Sequence, residues 1–267
     1  MKMRQSAGLS SRLKQLGGGG RLTQDSLPSE NDLTNVMRRI LKYAEAKPLK
    51  NENHTVMWRP TVSLLECQEN MRAVYGDEYP VPVAANAARS MRPDGGILCL
   101  IDKTSLKWVP LLITEDKIQG TNDQRHAVGK GRQATGNAIE RAAKNIRGME
   151  MLFAGPDHPF FPYVVFAAGC DFHPSETIGQ RLEMMNYGLP NFVFEVNKSN
   201  TDVLPQLQET LTLHNCKKRF DGKCTASIFV KTHKWNSAPH GCSNWSVEER
   251  YAVCEWAVDQ TLAPYAA

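Results

Sequence analysis

After Ser29, apolar residues Leu33, Val36, Met37, Ile40 and Leu41 recur at the spacing of one helical face until Pro48 breaks the pattern. This predicts an amphipathic helix. A second helical stretch, at about 63–75, carries Leu64, Leu65, Met71 and Val74 inward and ends before Gly76 and Pro80. Two apolar runs follow, 96–101 and 108–114, joined by the polar segment 102–107, and read as strands with a hairpin connection. Runs at 161–168 and 192–196 are two more buried strands, and 226–231 is a fifth. Helical segments fall between or after them, at about 135–153, 201–213 and 247–262. Strands interleaved with helices predict an α/β fold, a five-stranded mixed central sheet flanked by helices. Residues 1–28 are polar and contain Gly17 to Gly20, so they are expected to form a flexible arm ahead of one domain over 29–267. No internal repeat, heptad run or zinc-knuckle spacing interrupts this reading.

Composition agrees with a single large core: the chain has 267 residues, 41% of them hydrophobic. No stretch approaches the length of a membrane span, and the first residues lack the apolar centre of a secretory signal, so a soluble, cytoplasmic protein is expected. Seven cysteines at irregular spacing give no disulfide framework and are expected to be reduced and packed. The net charge of +4 says little, but its distribution says more. Six basic residues between Arg125 and Arg147 face the single acid Glu140, and six between Lys217 and Lys234 face only Asp221. Two local basic surfaces suit a polyanion, although each alone also fits a solvated face.

Candidate chemistry begins with Met91-Arg92-Pro93-Asp94-Gly95-Gly96-Ile97 and with Glu115-Asp116-Lys117 at the end of the next apolar run. Carboxylates at the ends of neighbouring strands can hold a hard divalent cation, and a lysine two residues beyond the second reaches the same side of its strand. The Asp116 carbonyl is a further oxygen ligand, and magnesium (Mg2+) is the expected ion. Such a cation and a lysine are what phosphodiester hydrolysis requires: charge neutralisation, an activated water and a group that orients it. The competing reading is a turn aspartate and a strand-end salt bridge. Downstream, Asn137 and Arg141 lie four apart on a helical face with Glu140 beside them, and asparagine and arginine can read adenine and guanine in a major groove. An ordinary amphipathic helix with a surface Glu–Arg pair is the alternative. His214, Cys216, Cys224, His240 and Cys242 fit no familiar zinc spacing, and His158 and His173 read as turn histidines.

Taken in order, Ser90-Met91-Arg92-Pro93-Asp94-Gly95-Gly96-Ile97, Glu115-Asp116-Lys117-Ile118-Gln119-Gly120, Gly136-Asn137-Ala138-Ile139-Glu140-Arg141, Phe161-Pro162-Tyr163-Val164 and Asn186-Tyr187-Gly188 resemble the EcoRI type II restriction endonuclease family, over roughly 30–235. The resemblance implies a cytoplasmic prokaryotic enzyme, a homodimer that cleaves both strands of a short palindrome in double-stranded DNA with magnesium and leaves 5′-phosphates and 5′ overhangs. It also implies a DNA methyltransferase as functional partner and no membrane. By position, Asp94, Glu115 and Lys117 match the catalytic residues, with Asp94, Glu115 and Asp116 toward the metal. Asn137 and Arg141, with Ala134, match base-reading residues, and Glu140 their buttress. Gln119 and Arg181 match residues of the DNA complex, and Lys130 and Lys144 lie on the basic segment facing DNA. The chain departs from the family in a shorter link from Lys130 to Gly136, in Gln133 for an apolar residue, and in Asp116 for a small one. It also lacks a long insertion and a second arginine at 172–181. The implied site is GAATTC, with another AATT-centred palindrome or a non-cleaving sequence-specific DNA-binding module as alternatives.

Overall fold

A computed structural model of the chain describes residues 19–79, 90–118, 121–132, 152–153, 163–170, 193–197, 227–231 and 245–267. Its first helix, α1 (Gly19–Glu45), carries the expected apolar stripe: Leu33, Val36, Met37, Ile40 and Ala44 are all fully buried. The helix begins well before Ser29, however, and runs through Pro28. Proline's fixed φ is compatible with a helix, and its cost is a missing donor and crowding of the preceding turn. The second helix, α2 (Leu64–Tyr75), starts where Ser63 Oγ accepts from the Glu66 amide at 3.0 Å and ends at Gly76 with φ 61°.

Strands β1 (His54–Arg59), β4 (Ile97–Asp102), β5 (Trp108–Ile118), β6 (Tyr163–Ala168), β7 (Val193–Asn197) and β8 (Ser227–Lys231) form one mixed sheet in the order β1-β4-β5-β6-β8-β7. The short strands β2 (Val62–Ser63) and β3 (Ser90–Met91) pair separately. All five expected strands are present, and β1 adds a sixth by pairing antiparallel with β4. Strands β4 and β5 are antiparallel, whereas β5, β6, β8 and β7 run parallel to one another. The hairpin between β4 and β5 is closed by Asp102, whose Oδ1 accepts from the amides of Thr104 (2.9 Å) and Ser105 (2.7 Å). Those bonds hold the Asp102 carboxyl below its ordinary range.

β5 outlasts its apolar run. Thr114, Glu115, Asp116 and Lys117 remain in the strand because β6 pairs beside them, Glu115 with Val165 and Lys117 with Ala167. Paired with β4 on one side and β6 on the other, β5 is a central strand, which explains why polar residues here do not end it.

Helices α1 and α4 (Val247–Leu262) cover one face of the sheet. Leu98, Leu100, Leu112, Val164 and Phe166 join the α1 stripe and Val253, Cys254, Ala257, Val258 and Leu262 of α4 in a single apolar cluster. Each large side chain in such a cluster contributes about 1.5–3 kcal/mol by leaving water. The alternate residues Ile97, Cys99, Ile113, Tyr163 and Val165 are equally buried but lie outside that cluster, on the opposite face. Polar ties fix the helix pair: Arg39 donates to both Glu248 oxygens (2.7 and 3.0 Å), and Tyr43 donates to Asp259 at 2.8 Å. Ser246 and Glu249 form a reciprocal capping box at the start of α4. The Trp245 indole, just before it, donates to the Ala167 carbonyl of β6 at 2.9 Å. At the other end of α4, Thr261 donates to the Leu111 carbonyl of β5 at 2.9 Å. No helix among the described residues is long and apolar enough to cross a membrane. Cys67, Cys99, Cys170 and Cys254 are buried, as expected of packed thiols.

Candidate active site

Asp94 sits in the turn that leads into β4, and this turn is tied to β5 directly beside Glu115. The Gly96 amide donates to Pro93 O (2.8 Å) and the Gly95 amide to Thr114 O (3.0 Å). Both glycines are required by space. A Cβ on Gly95 would lie 1.8 Å from Thr114 Oγ1, and one on Gly96, whose φ is +73°, would lie 2.7 Å from Arg59 O. From β1, the Trp58 indole donates to the Gly95 carbonyl at 2.8 Å and so braces the turn from its far side.

Strand alternation then sorts three consecutive residues. Glu115 and Lys117 project to the face away from α1 and α4, while the Asp116 side chain points toward α4. The Lys117 ammonium forms an ion pair with Glu115, lies 3.4 Å from Asp94 Oδ2 and donates to the Asp116 carbonyl at 3.2 Å. The Asp116 amide also donates to Asp94 Oδ2 at 3.1 Å. Asp94, Glu115 and Lys117, which the sequence places 21 and 23 residues apart from Asp94, thus meet at one point.

Burial pushes the Asp94 carboxyl above its ordinary value; the Lys117 ammonium pulls it back, and the neighbouring Glu115 charge adds to the rise. Glu115 is buried, and its other oxygen accepts from the Tyr163 hydroxyl of β6. Burial, with the Glu115 charge second, holds the Tyr163 phenol well above its ordinary range, so it stays a neutral donor.

Among the described residues no three His, Cys, Asp or Glu side chains gather into a metal-binding cluster. The set that does converge is two carboxylates and one backbone carbonyl, and it converges on a cation, the Lys117 ammonium. An all-oxygen set of this size suits a hard divalent ion that keeps several waters, so the residues fit magnesium.

Sequence reasoning missed three supporting residues. Trp58 lies on the strand that was not expected. Tyr163 is the one hydroxyl-bearing residue in the run Tyr163–Ala168, a visible hint without a partner. Arg250 falls on the apolar stripe of α4, fully buried, where it donates to Asp116 Oδ2 at 3.1 Å; a cation on such a stripe calls for a buried acid. Of the expected DNA-facing residues, Lys130 is exposed just after helix α3 (Thr121–Ala127), where its amide donates to Arg125 O at 2.8 Å. Gln119, Ala134, Asn137, Glu140, Arg141, Lys144 and Arg181 lie outside the described residues, as do the histidines and cysteines at 214–242. His126 is in α3.

Compared with known families, residues 85–238 match the model described as Restriction endonuclease EcoRI, which spans more than half of the chain. A comparison with curated proteins finds no match.

Proposed function

The chain belongs to the restriction endonuclease EcoRI family, a family of site-specific deoxyribonucleases, and from that premise we propose that Asp94, Glu115 and Lys117 cleave both strands of a short palindrome. The observation that carries this reading is the convergence of two carboxylates and the lysine at the turn beside β5. The proposed site is GAATTC, and the products carry 5′-phosphates. Asp94, Glu115 and the Asp116 carbonyl would hold Mg2+, which when bound would supply the positive charge that a doubly anionic transition state needs and acidify nearby water.

The chain's own residues do the remaining work. Asp94 is held by the Asp116 amide and Glu115 by the Tyr163 hydroxyl, so both carboxylates are oriented before substrate arrives. The Lys117 ammonium, held beside both carboxylates, would orient the attacking water and stabilise the charge that develops on the phosphate oxygens. Asn137 and Arg141, with Glu140 holding them, Ala134 and Gln119 nearby, read base edges; Lys130, Lys144 and Arg181 contact phosphates. A two-fold homodimer lets one such surface read both half-sites. The nuclease domain takes in 29–267, with residues 1–28 preceding it, and a DNA methyltransferase protects the host's own sites.

Incubating the protein with plasmid DNA and Mg2+ and sequencing the resulting ends tests this reading. Ends confined to GAATTC are expected. Ends at another AATT-centred palindrome would correct the site alone, random nicking would refute sequence-specific cleavage, and binding without cleavage under any divalent ion would make the protein a recognition module.

A further inference from the structure

Arg250 belongs to α4, outside the region that matches the family, yet it reaches the middle residue of Glu115-Asp116-Lys117. Its side chain is fully buried, and that of Asp116 is 4% exposed. Taking two such charges out of water is costly, and apolar residues of similar size often serve stability as well or better. A role in stability therefore accounts poorly for the pair. Its location suggests another role, because the main chain of Asp116 is part of the site: the amide holds Asp94, and the carbonyl faces the Lys117 ammonium.

We propose that Arg250 is a positioning residue, which clamps the Asp116 side chain from the α4 side and thereby fixes the orientation of the Asp116 peptide groups toward Asp94 and the cation. The clamp is anchored. Arg250 lies in the first turn of α4, its amide donating to Ser246 O at 3.1 Å, next to the capping box and to Trp245, whose indole is bonded to Ala167 of β6. At the far end of the helix, Thr261 is bonded to Leu111. α4 thus spans β5 from Leu111 to Asp116 and grips it at both ends. A planar guanidinium suits this task better than a flexible ammonium.

This inference rests on the nuclease reading, and its test keeps the two apart. Mn2+ binding to the full-length protein without DNA is measured by calorimetry, alongside thermal melting and single-turnover cleavage. The double variant Asp116→Ala/Arg250→Met removes both charges together and is expected to melt near the wild type. Its Mn2+ dissociation constant is expected to rise about 10–100-fold, the usual loss when a ligand's supporting partner is removed, with a matching rise in the ion concentration needed for cleavage. Arg250→Lys keeps the charge balanced without the planar fork, which covers the case in which the double variant fails to fold. It is expected to weaken Mn2+ binding several-fold, by the same argument. A folded variant of either kind with wild-type Mn2+ affinity and wild-type ion dependence overturns the assignment and leaves Arg250 a structural residue. Wild-type protein that neither binds Mn2+ nor cleaves DNA refutes the nuclease reading itself, and this inference with it.

Discussion

The two sides of β5 are built from alternate residues of one strand, yet they follow different rules. On the α1/α4 side, Leu112 joins the apolar cluster and Asp116 is neutralised by Arg250. On the other side, Ile113 gives way to Glu115 and Lys117, which converge with Asp94 around a centre that stays partly open, the Lys117 side chain being 20% exposed. One face is organised to exclude water and the other to place charges. Because a pleated strand fixes both at once, the packing face sets the geometry of the chemical face, and disturbances should pass in that direction.

Deep packing gives the largest effect. Phe166 is fully buried and meets Trp245 edge to face with ring centroids 5.5 Å apart. Phe166→Ala is expected to lower unfolding stability by about 3–5 kcal/mol. Chemical denaturation measures that loss, and cleavage per folded molecule should fall as well, because Phe166 pairs with Asp116 in the register of β5 and β6; unchanged cleavage despite the lost stability would break the comparison.

Gly95→Ala sits at the boundary between the faces. Its Cβ would meet Thr114 Oγ1 at 1.8 Å, so the turn that carries Asp94 must move. Displacement on the scale of 1 Å is expected to slow single-turnover cleavage about 100-fold. Adding Thr114→Ala removes the closest clash and should restore part of the rate. Tyr163→Phe is expected to act within the chemical face alone, slowing cleavage about tenfold through loss of the donor to Glu115, and an unchanged rate would remove Tyr163 from the site.

The smallest effect belongs to the rim of the packing face. The hydrogen bond from Arg39 holds the Glu248 carboxyl below its ordinary value. A depressed carboxylate contributes stability above its unfolded pKa and loses it as pH falls through the folded one. Arg39→Met should therefore show its deficit at neutral pH and converge with the wild type as the solution becomes acidic, with added salt shrinking the gap. Stability curves across that range check the sign.

How much of this was legible in the sequence follows from the range of the interactions. The α1 stripe, the β4–β5 hairpin and α4 are local patterns, and each was placed to within a few residues apart from the start of α1. β1 was not legible: in His54–Arg59 only Val56 is buried, because an edge strand paired on one side needs little apolar character. The continuation of β5 through Lys117 is likewise a product of β6, whose Val165 pairs with Glu115 and whose Ala167 pairs with Lys117 from 50 residues away. Within the site, Asp94, Glu115 and Lys117 were legible because a hairpin joins their segments. Trp58, Tyr163 and Arg250 carry no local signature of the group they hold, and only the tertiary fold brings each to its partner.

The central claim is that the chemical face of β5 cuts DNA through Lys117 while recognition is built separately. Cleavage and binding of a GAATTC duplex by Lys117→Ala test it most directly, with cleavage measured in Mg2+ and binding in Ca2+. The account predicts a loss of cleavage of at least about 100-fold, on the scale of a removed transition-state donor, with specific binding still measurable. Cleavage at the wild-type rate would contradict it.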